Sequence, residues 1–347
     1  MSQTIVFYDA KPYDRRFFDL VNRDHGYDIR YVETHLTPET VALAENARCV
    51  CAFVNDDCGT AVIDGLVERG VELLALRSAG YNHVDLEAAY ERLHVVRVPA
   101  YSPHAVAEHT VALLLSINRK IHRAFYRTRD ANFTIDGLLG FDLVGKYVGI
   151  IGTGKIGRLV AEILRGFGME VLAYDVKPDQ DWATGIGAQY VDLPQIYSDC
   201  RVISLHCPLT PQTHHLIDAA ALEAMGEDAV LINTGRGGLV DTAALVEVLR
   251  TSAIGGAALD VYEEESQYFF EDFSSQVISD DILARLIGFP NVLITSHQGF
   301  FTAEALEAIA RTTLGNVDAY FADAALDNEV CYRCDGPCDK GDRGRCF

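Results

Sequence analysis

Residues 146–175, KYVGIIGTGKIGRLVAEILRGFGMEVLAYD, leave this chain few folds to choose from. Tyr147–Ile151 is a short apolar, β-favouring run, the pattern of a strand covered on both faces. It leads directly into Gly152-x-Gly154-x-x-Gly157. Ile156, Leu159, Val160, Ile163, Leu164 and Phe167 then recur at three- and four-residue steps, the stripe of a helix. Glu170–Tyr174 reads as a second strand, and Asp175 follows it. Gly152 allows the tight turn, Gly154 lets backbone approach a pyrophosphate, and Gly157 lets helix and strand pack closely. Free N–H groups at the helix start, with its positive dipole end, face the phosphates. Asp175 can accept both adenosine ribose hydroxyls. It would repel a 2′-phosphate by about 4 kcal/mol at ~4 Å and an effective dielectric near ~20. A GxGxxG alone is weak evidence, but a strand before it, a helix after it and an acid closing the next strand make it specific. The stretch reads as a site for NAD rather than NADP.

The rest of the chain fits around that unit. At 347 residues and 49% hydrophobic content, two domains can each fill a core. Twenty-nine basic residues against 50 acidic give a net charge of −21, which excludes a nucleic-acid footprint. The N-terminal MSQTIVFYDA lacks the pattern of a signal peptide, and no apolar run is long enough to span a membrane. The nine cysteines then imply a reducing cytoplasm.

Residues 1 to about 100 alternate strands, at 5–8, 28–33, 49–54, 71–76 and 95–98, with amphipathic segments. This is the rhythm of a small doubly wound, flavodoxin-like domain without a phosphate fingerprint. Arg77-Ser-Ala79-Gly80 follows a strand directly, where backbone can line a cleft or simply turn. Ser102-Pro103 is a cap followed by proline at the first turn of a helix. On that helix His109 reads as a satisfied core histidine. Tyr101 lies just ahead of it. Thr302 opens a last helix, apolar at Leu306, Ile309, Ala310, Leu314, Val317 and Phe321. The expected fold is α/β, two doubly wound parallel-sheet domains with a Rossmann cofactor domain inserted in a flavodoxin-like one. The expected boundaries are 1–100 with 298–330 for the substrate domain, 101–297 for the NAD domain, and 331–347 for a Cys-rich tail.

Each later strand delivers polar residues past its C-terminal end. Strand 201–205 leads to His206-Cys207-Pro208, and Val230–Asn233 to Thr234-Gly235-Arg236-Gly-Gly. Strand 255–259 leads to Asp260-Val-Tyr-Glu263-Glu264-Glu265, and strand 292–295 to Ser296-His297-Gln-Gly-Phe300. The parallel order puts all of them on the rim that carries Gly152 and Asp175. Reduction of a 2-oxo acid by NADH needs a cation for the carboxylate and an acid for the new alkoxide. Arg236 supplies a planar fork, flanked by glycines that open space for a ligand, each charged hydrogen bond being worth about 1.5–3 kcal/mol. His297 is the natural proton donor, because histidine titrates near neutrality. A carboxylate beside it would stabilise the imidazolium form. Spacing alone does not choose among Glu263, Glu264 and Glu265.

GTGKIG with Asp175, HCPLT, NTGRGGLVD, LDVYEEE and SHQGFFTAEAL resemble, in that order, the motifs of the NAD-dependent D-2-hydroxyacid dehydrogenases. The resemblance runs from RSAGYNHVD to about residue 330, and the Phe300-Phe301 pair is similar to the D-lactate dehydrogenase branch. It implies Arg236 as the substrate clamp, Glu265 as the histidine partner and His297 as the proton donor. It also implies Lys155, Ile156, Asp175, Cys207, Pro208, Thr213, Thr234, Gly235 and Asp260 at the cofactor, with His206 on the same rim. Asp260 is expected near the nicotinamide amide, and Ala79, Gly80, Tyr101 and Phe300 near the substrate. The implied activity is reversible reduction of pyruvate or a similar small 2-oxo acid, by a homodimer or higher homo-oligomer. Hydroxypyruvate, glyoxylate or phenylpyruvate reduction is the alternative within the family. NAD-sensing corepressors of the same fold are the alternative outside it, but they carry long extensions and a docking tract that this chain lacks. Outside the family pattern lie Cys331, Cys334, Cys338 and Cys346. Their CxxCxxxC spacing and fourth cysteine are read either as a zinc or iron–sulfur site or as an oxidisable tail.

Overall fold

The structure, a computed structural model, describes residues 3–333 and 344–347. It forms two compact units, Met1–Ser102 with Phe301–Phe347, and Pro103–Phe300.

In the first unit, β1 (Thr4–Phe7), β2 (Asp28–Tyr31), β3 (Cys49–Ala52), β4 (Leu73–Leu76) and β5 (His94–Val96) form one sheet. Its order is β2-β1-β3-β4-β5, and every ladder is parallel. This is the flavodoxin-like order expected from the sequence. The inner strands β3 and β4, CVCA and LLAL, are buried at every position, as strands covered on both faces must be. Several strands stop short of their apolar runs, because the chain turns out of the ladder there. After β3, for example, the Phe53 N–H donates to Asp56 Oδ2 at 2.6 Å.

The helix Ala303–Phe321 belongs to this unit. Thr302 caps it by accepting from the Ala305 N–H, and Leu306, Ile309, Ala310, Leu314 and Val317 are buried along it. Tyr320 Oη donates to Glu72 Oε2 at 2.7 Å, and Asn316 Nδ2 to the Arg97 carbonyl at 3.0 Å. The described ends of the expected tail are built into the same unit. Cys331 is buried, the Cys346 N–H donates to Glu329 Oε2 at 2.6 Å, and Phe347 stacks on His94 at 4.2 Å. Cys334 and Cys338 of the expected four-cysteine site lie outside the described residues.

The second unit carries β6 (Tyr147–Ile151), β7 (Glu170–Tyr174), β8 (Gln189–Tyr190), β9 (Val202–Leu205), β10 (Val230–Asn233), β11 (Gly256–Leu259) and β12 (Val292–Ile294). Their order is β12-β11-β10-β9-β6-β7-β8, again all parallel. The two-residue β8 is too short for any periodicity to announce it. Alternate residues feed two cores. Ile151, Ile203, Leu205, Leu231 and Leu259 enter one, and Val148, Ile150, Val202, Ile232 and Ala258 the other. The second core also takes Ala107, Val111 and Leu114 of helix Pro103–Arg119 and Val160, Ala161 and Leu164 of helix Lys155–Gly166. From β6 the chain runs outward through β7 and β8, then returns to β9 and runs the other way. The β6/β9 boundary is therefore the switch point at which such sheets bind ligands. Among the described residues no helix is long and apolar enough to cross a membrane.

Arg345 closes the last turn of helix Ala303–Phe321. Its guanidinium donates to the carbonyls of Ala319 and Tyr320 in that turn and of Ala324 just beyond it, adding to the backbone bonds that Ala319 and Tyr320 already accept. Arg345→Ala is expected to lower stability by about 1–3 kcal/mol, read as a lower melting temperature, with secondary structure unchanged at room temperature.

Candidate active site

The glycines after β6 divide into two kinds. Gly152 has φ +97°, and a Cβ there would lie 2.5 Å from the Cys207 nitrogen. A Cβ on Gly157 would lie 2.0 Å from the Gly152 carbonyl oxygen. These two close the strand–turn–helix joint on itself and on the loop after β9. Gly154 differs, since a Cβ there would meet nothing within 4 Å. It is exposed, and it begins helix Lys155–Gly166 without a side-chain cap. The helices starting at Gln180, Leu193, Ala219, Thr242 and Asp281 all carry aspartate caps. An uncapped first turn facing open space keeps its N–H groups for an anion, which fits a dinucleotide pyrophosphate.

Asp175 is held beside this turn. Its Oδ2 accepts from the Thr153 N–H at 2.7 Å and the Thr153 hydroxyl at 3.1 Å, and its Oδ1 accepts from the Lys177 N–H at 2.9 Å. Partial burial pushes the carboxyl up, but the hydrogen bonds from Lys177 and Thr153 outweigh it and hold it below the ordinary carboxylate range. It is thus an anion with lone pairs left for ribose hydroxyls. Lys155 is exposed and Ile156 half-buried at the helix start.

Past β9, His206 bonds Ser204 Oγ through Nε2 at 2.9 Å, and burial lowers its pKa to about 4. It is neutral near pH 7 and offers shape rather than charge. Burial also pushes the Cys207 thiol up to about 11, so it stays protonated. Thr213 Oγ1 donates to the Pro208 carbonyl at 2.7 Å and closes that loop. Past β10, Thr234 Oγ1 bonds Thr110 Oγ1 at 2.8 Å, tying the strand end to helix Pro103–Arg119.

Asn233 shapes the arginine loop. Its side chain accepts from the Gly235 N–H at 3.0 Å and donates to the Arg236 carbonyl at 2.8 Å. The Arg236 guanidinium donates to the Gly235 carbonyl, and among the described residues no carboxylate pairs with it. The glycines beside it do not open space for a ligand, as the sequence suggested. A Cβ on Gly237 would lie 2.2 Å from the Tyr262 carbonyl carbon, so glycine is needed for close approach of the loop after β11.

That loop separates the three glutamates. Glu263 Oε1 sits 2.6 Å from His215 Nε2, and Glu264 is exposed. Glu265 Oε1 lies 2.8 Å from His297 Nδ1, and its Oε2 accepts from the Tyr262 N–H at 2.9 Å. Among the described residues His297 Nε2 has no partner. His297 adopts φ +51°, a left-handed conformation that costs a non-glycine residue about 1–3 kcal/mol and needs fixed neighbours to persist. Phe300 is buried, with its ring 6.5 Å from Phe270.

Asp260 supplies those neighbours. Its side chain is buried; Oδ1 accepts from the Gln298 N–H at 2.9 Å and the Thr295 hydroxyl, and Oδ2 from the Gly299 N–H at 2.8 Å. His109 Nε2 lies 3.2 Å from Oδ1, and the Asp260 carbonyl accepts from the His297 N–H at 2.7 Å. The carboxylate expected at the nicotinamide is therefore engaged in holding the loop that carries His297. His109, read as a core histidine, is one of its partners. Thr153, Asn233 and Thr295 escaped the sequence reading. The one available signal was a polar residue at or beside the end of an apolar strand.

Ala79, Gly80 and Tyr101 belong to the first unit. The Ala79 carbonyl accepts from Arg97 at 2.8 Å and the Gly80 carbonyl from the Ser78 hydroxyl at 2.8 Å, so the loop after β4 is fixed from within that unit.

The family model "D-isomer specific 2-hydroxyacid dehydrogenase, NAD binding domain" matches residues 111–299. The chain is 51% identical over 318 residues to 2-hydroxyacid dehydrogenase homolog 1 of Schizosaccharomyces pombe, covering 91% of this chain and 96% of that one. It is 47% identical over 327 residues to D-lactate dehydrogenase of Escherichia coli, covering 94% and 99%. The solved pyruvate reductase of Chlamydomonas reinhardtii superposes with a TM-score of 0.90 at 39% identity, covering 94% and 98%.

Burial alone would raise the Asp260 carboxyl, but the His109 and Thr295 hydrogen bonds and the Gly299 N–H hold it below its ordinary value. Its stabilising contribution is complete above the unfolded value of about 3.9 and is lost as pH falls through the depressed folded value. Asp260→Asn removes that charge. The variant is expected to melt lower than wild type at pH 7, and the gap should narrow as the solution is acidified below about pH 4. A gap independent of pH would remove the charge from the account.

Proposed function

The chain belongs to the D-isomer specific 2-hydroxyacid dehydrogenases, and we propose that within this family it reduces pyruvate, or a similar small 2-oxo acid, to the D-2-hydroxy acid. It is an NAD-dependent oxidoreductase acting on the CH–OH group. NADH supplies the hydride to C2 of the oxo acid. The uncapped turn at Gly154, with Lys155 and Ile156, would hold the pyrophosphate, and Asp175 the adenosine ribose.

The observation that carries the proposal is the His297–Glu265 pair. With Nδ1 on the carboxylate and Nε2 without a partner among the described residues, the imidazole can present an Nε2–H to the substrate carbonyl. As hydride reaches C2, that proton passes to the developing alkoxide. On oxidation of the hydroxy acid it returns. Glu265 keeps the ring's orientation through its bond to Nδ1, so we assign it a positioning role. Arg236, with no ionic partner among the described residues, is left to take the substrate carboxylate through its fork. Ala79, Gly80, Tyr101 and Phe300 are proposed to complete the substrate site. In this reading residues 103–300 form the cofactor domain and the other unit the substrate domain. The name of the Escherichia coli relative supports lactate as the product.

A homodimer or higher homo-oligomer is also proposed. Helix Ile121–Arg129 buries no residue, and Tyr126, Phe133, Ile135 and Leu139 are 69%, 76%, 80% and 87% exposed. So large an exposed apolar run in a water-soluble enzyme calls for a partner surface. All seven cysteines among the described residues are unbridged, in keeping with the cytoplasm proposed as its location.

Chiral analysis of the product formed from pyruvate and NADH tests the central reading. D-lactate is expected, and L-lactate or no turnover would refute it. Comparing pyruvate, phenylpyruvate, hydroxypyruvate and glyoxylate should rank pyruvate first by kcat/KM.

Substitutions should separate the roles. His297→Gln is expected to lower kcat by about 10²–10⁴-fold, the usual worth of general acid catalysis. Arg236→Lys should raise KM for pyruvate and recover only part of the activity, because a point charge cannot reproduce the planar fork. Wild-type kinetics in Arg236→Lys would show that bidentate binding is the wrong account.

A further inference from the structure

Three metal-ligating side chains converge in the second unit, outside the residues assigned to turnover. We infer that His214, His215 and Glu263 form a binding site for a divalent transition-metal ion of the zinc or nickel class. Their ligand atoms all lie within 4.8 Å of one another. Zinc bound to imidazole and carboxylate at about 2.0–2.2 Å spaces tetrahedral donors roughly 3.4 Å apart, so small side-chain movements suffice. Two imidazoles with a single carboxylate suit zinc, copper or nickel, whereas magnesium and calcium prefer all-oxygen sets.

The surroundings hold these groups in place. The two rings stack with centroids 3.9 Å apart. His214 N–H donates to the Thr210 carbonyl at 2.9 Å, and His215 N–H to the Gly238 carbonyl at 2.8 Å. His215 has φ +50°, a conformation that a histidine keeps only when its neighbours fix it. Thr242 Oγ1 donates to Glu263 Oε2 at 3.1 Å, which orients the carboxylate while Oε1 faces His215 Nε2. A His215–Glu263 ion pair would account for two of the groups. It gives no reason for a second, exposed imidazole stacked on the first, and a shared metal ion does.

The position gives the site a consequence. His214 and His215 follow Thr213 in the loop after β9, and Glu263 precedes Glu265 in the loop after β11. Gly237, next to Arg236, packs on the backbone at Tyr262 and Glu263. A bound ion would clasp two rim loops without touching the reacting atoms. It would stabilise the rim whichever 2-oxo acid is the substrate.

The test uses the full chain, stripped with a chelator and titrated with Co²⁺ under visible absorption, then with Zn²⁺ in competition. One equivalent is expected, with d–d bands of nitrogen and oxygen ligation, no thiolate charge-transfer absorption, and displacement by Zn²⁺. Affinity should fall at least about tenfold in both His214→Gln and Glu263→Gln. His214 is exposed, so its variant should keep the metal-free melting temperature of wild type and decides the matter if Glu263→Gln folds poorly. Binding unchanged in His214→Gln, a spectrum dominated by thiolate bands, or no saturable binding would each overturn the proposal.

Discussion

The buried Asp260 carboxylate is the interaction on which the rim of the second unit depends. Removing such a group from water costs several kcal/mol, and charge-assisted hydrogen bonds have to offset that cost. The loop after β12 and the helix Pro103–Arg119 provide them, through Gln298, Gly299, Thr295 and His109. The same residue's carbonyl receives the His297 N–H. One side chain thereby joins the ends of β11 and β12 to a helix, and His297 can keep a left-handed backbone that would otherwise relax.

Around that hub the rim is built by close approach. Gly152, Gly157 and Gly237 each stand where a Cβ would run into another loop's or turn's backbone. Gly154 alone among these four faces open space. Glycine therefore does two jobs here that look identical in a sequence: three of the four let backbone segments touch, and one leaves room for a ligand. The distinction bears on mutation, because an added methyl at the first kind disturbs the joint and at the second only crowds the occupant.

The run Glu263-Glu264-Glu265 shows the same limit at the level of side chains. Three equal carboxylates in sequence acquire three different environments: His215 with Thr242, solvent, and His297 with the Tyr262 N–H. The turn after β11 sets which way each one points, and Gly237 sets how near that turn comes to the arginine loop. Resemblance to a family singled out Glu265, while charge and spacing left the three equivalent.

The sequence by itself determined the local architecture. Strand, glycine turn, helix and closing acid lie within residues 146–175, and caps such as Thr302 act over three residues, so their signals survive without tertiary context. Strand-like runs marked eleven of the twelve strands among the described residues, and the parallel order that follows from strand–helix alternation put the polar strand ends on one edge. Tertiary structure decided what meets across the chain. His297 pairs with Glu265 from 32 residues away, His109 reaches Asp260 from 151 and His25 reaches Asp318 from 293. Such pairings follow from strand order and the exact turn geometry, which no local pattern encodes. They give Asp260, expected at the cofactor, the further job of holding the loop that carries His297, and they build the described ends of an apparent tail into the first unit.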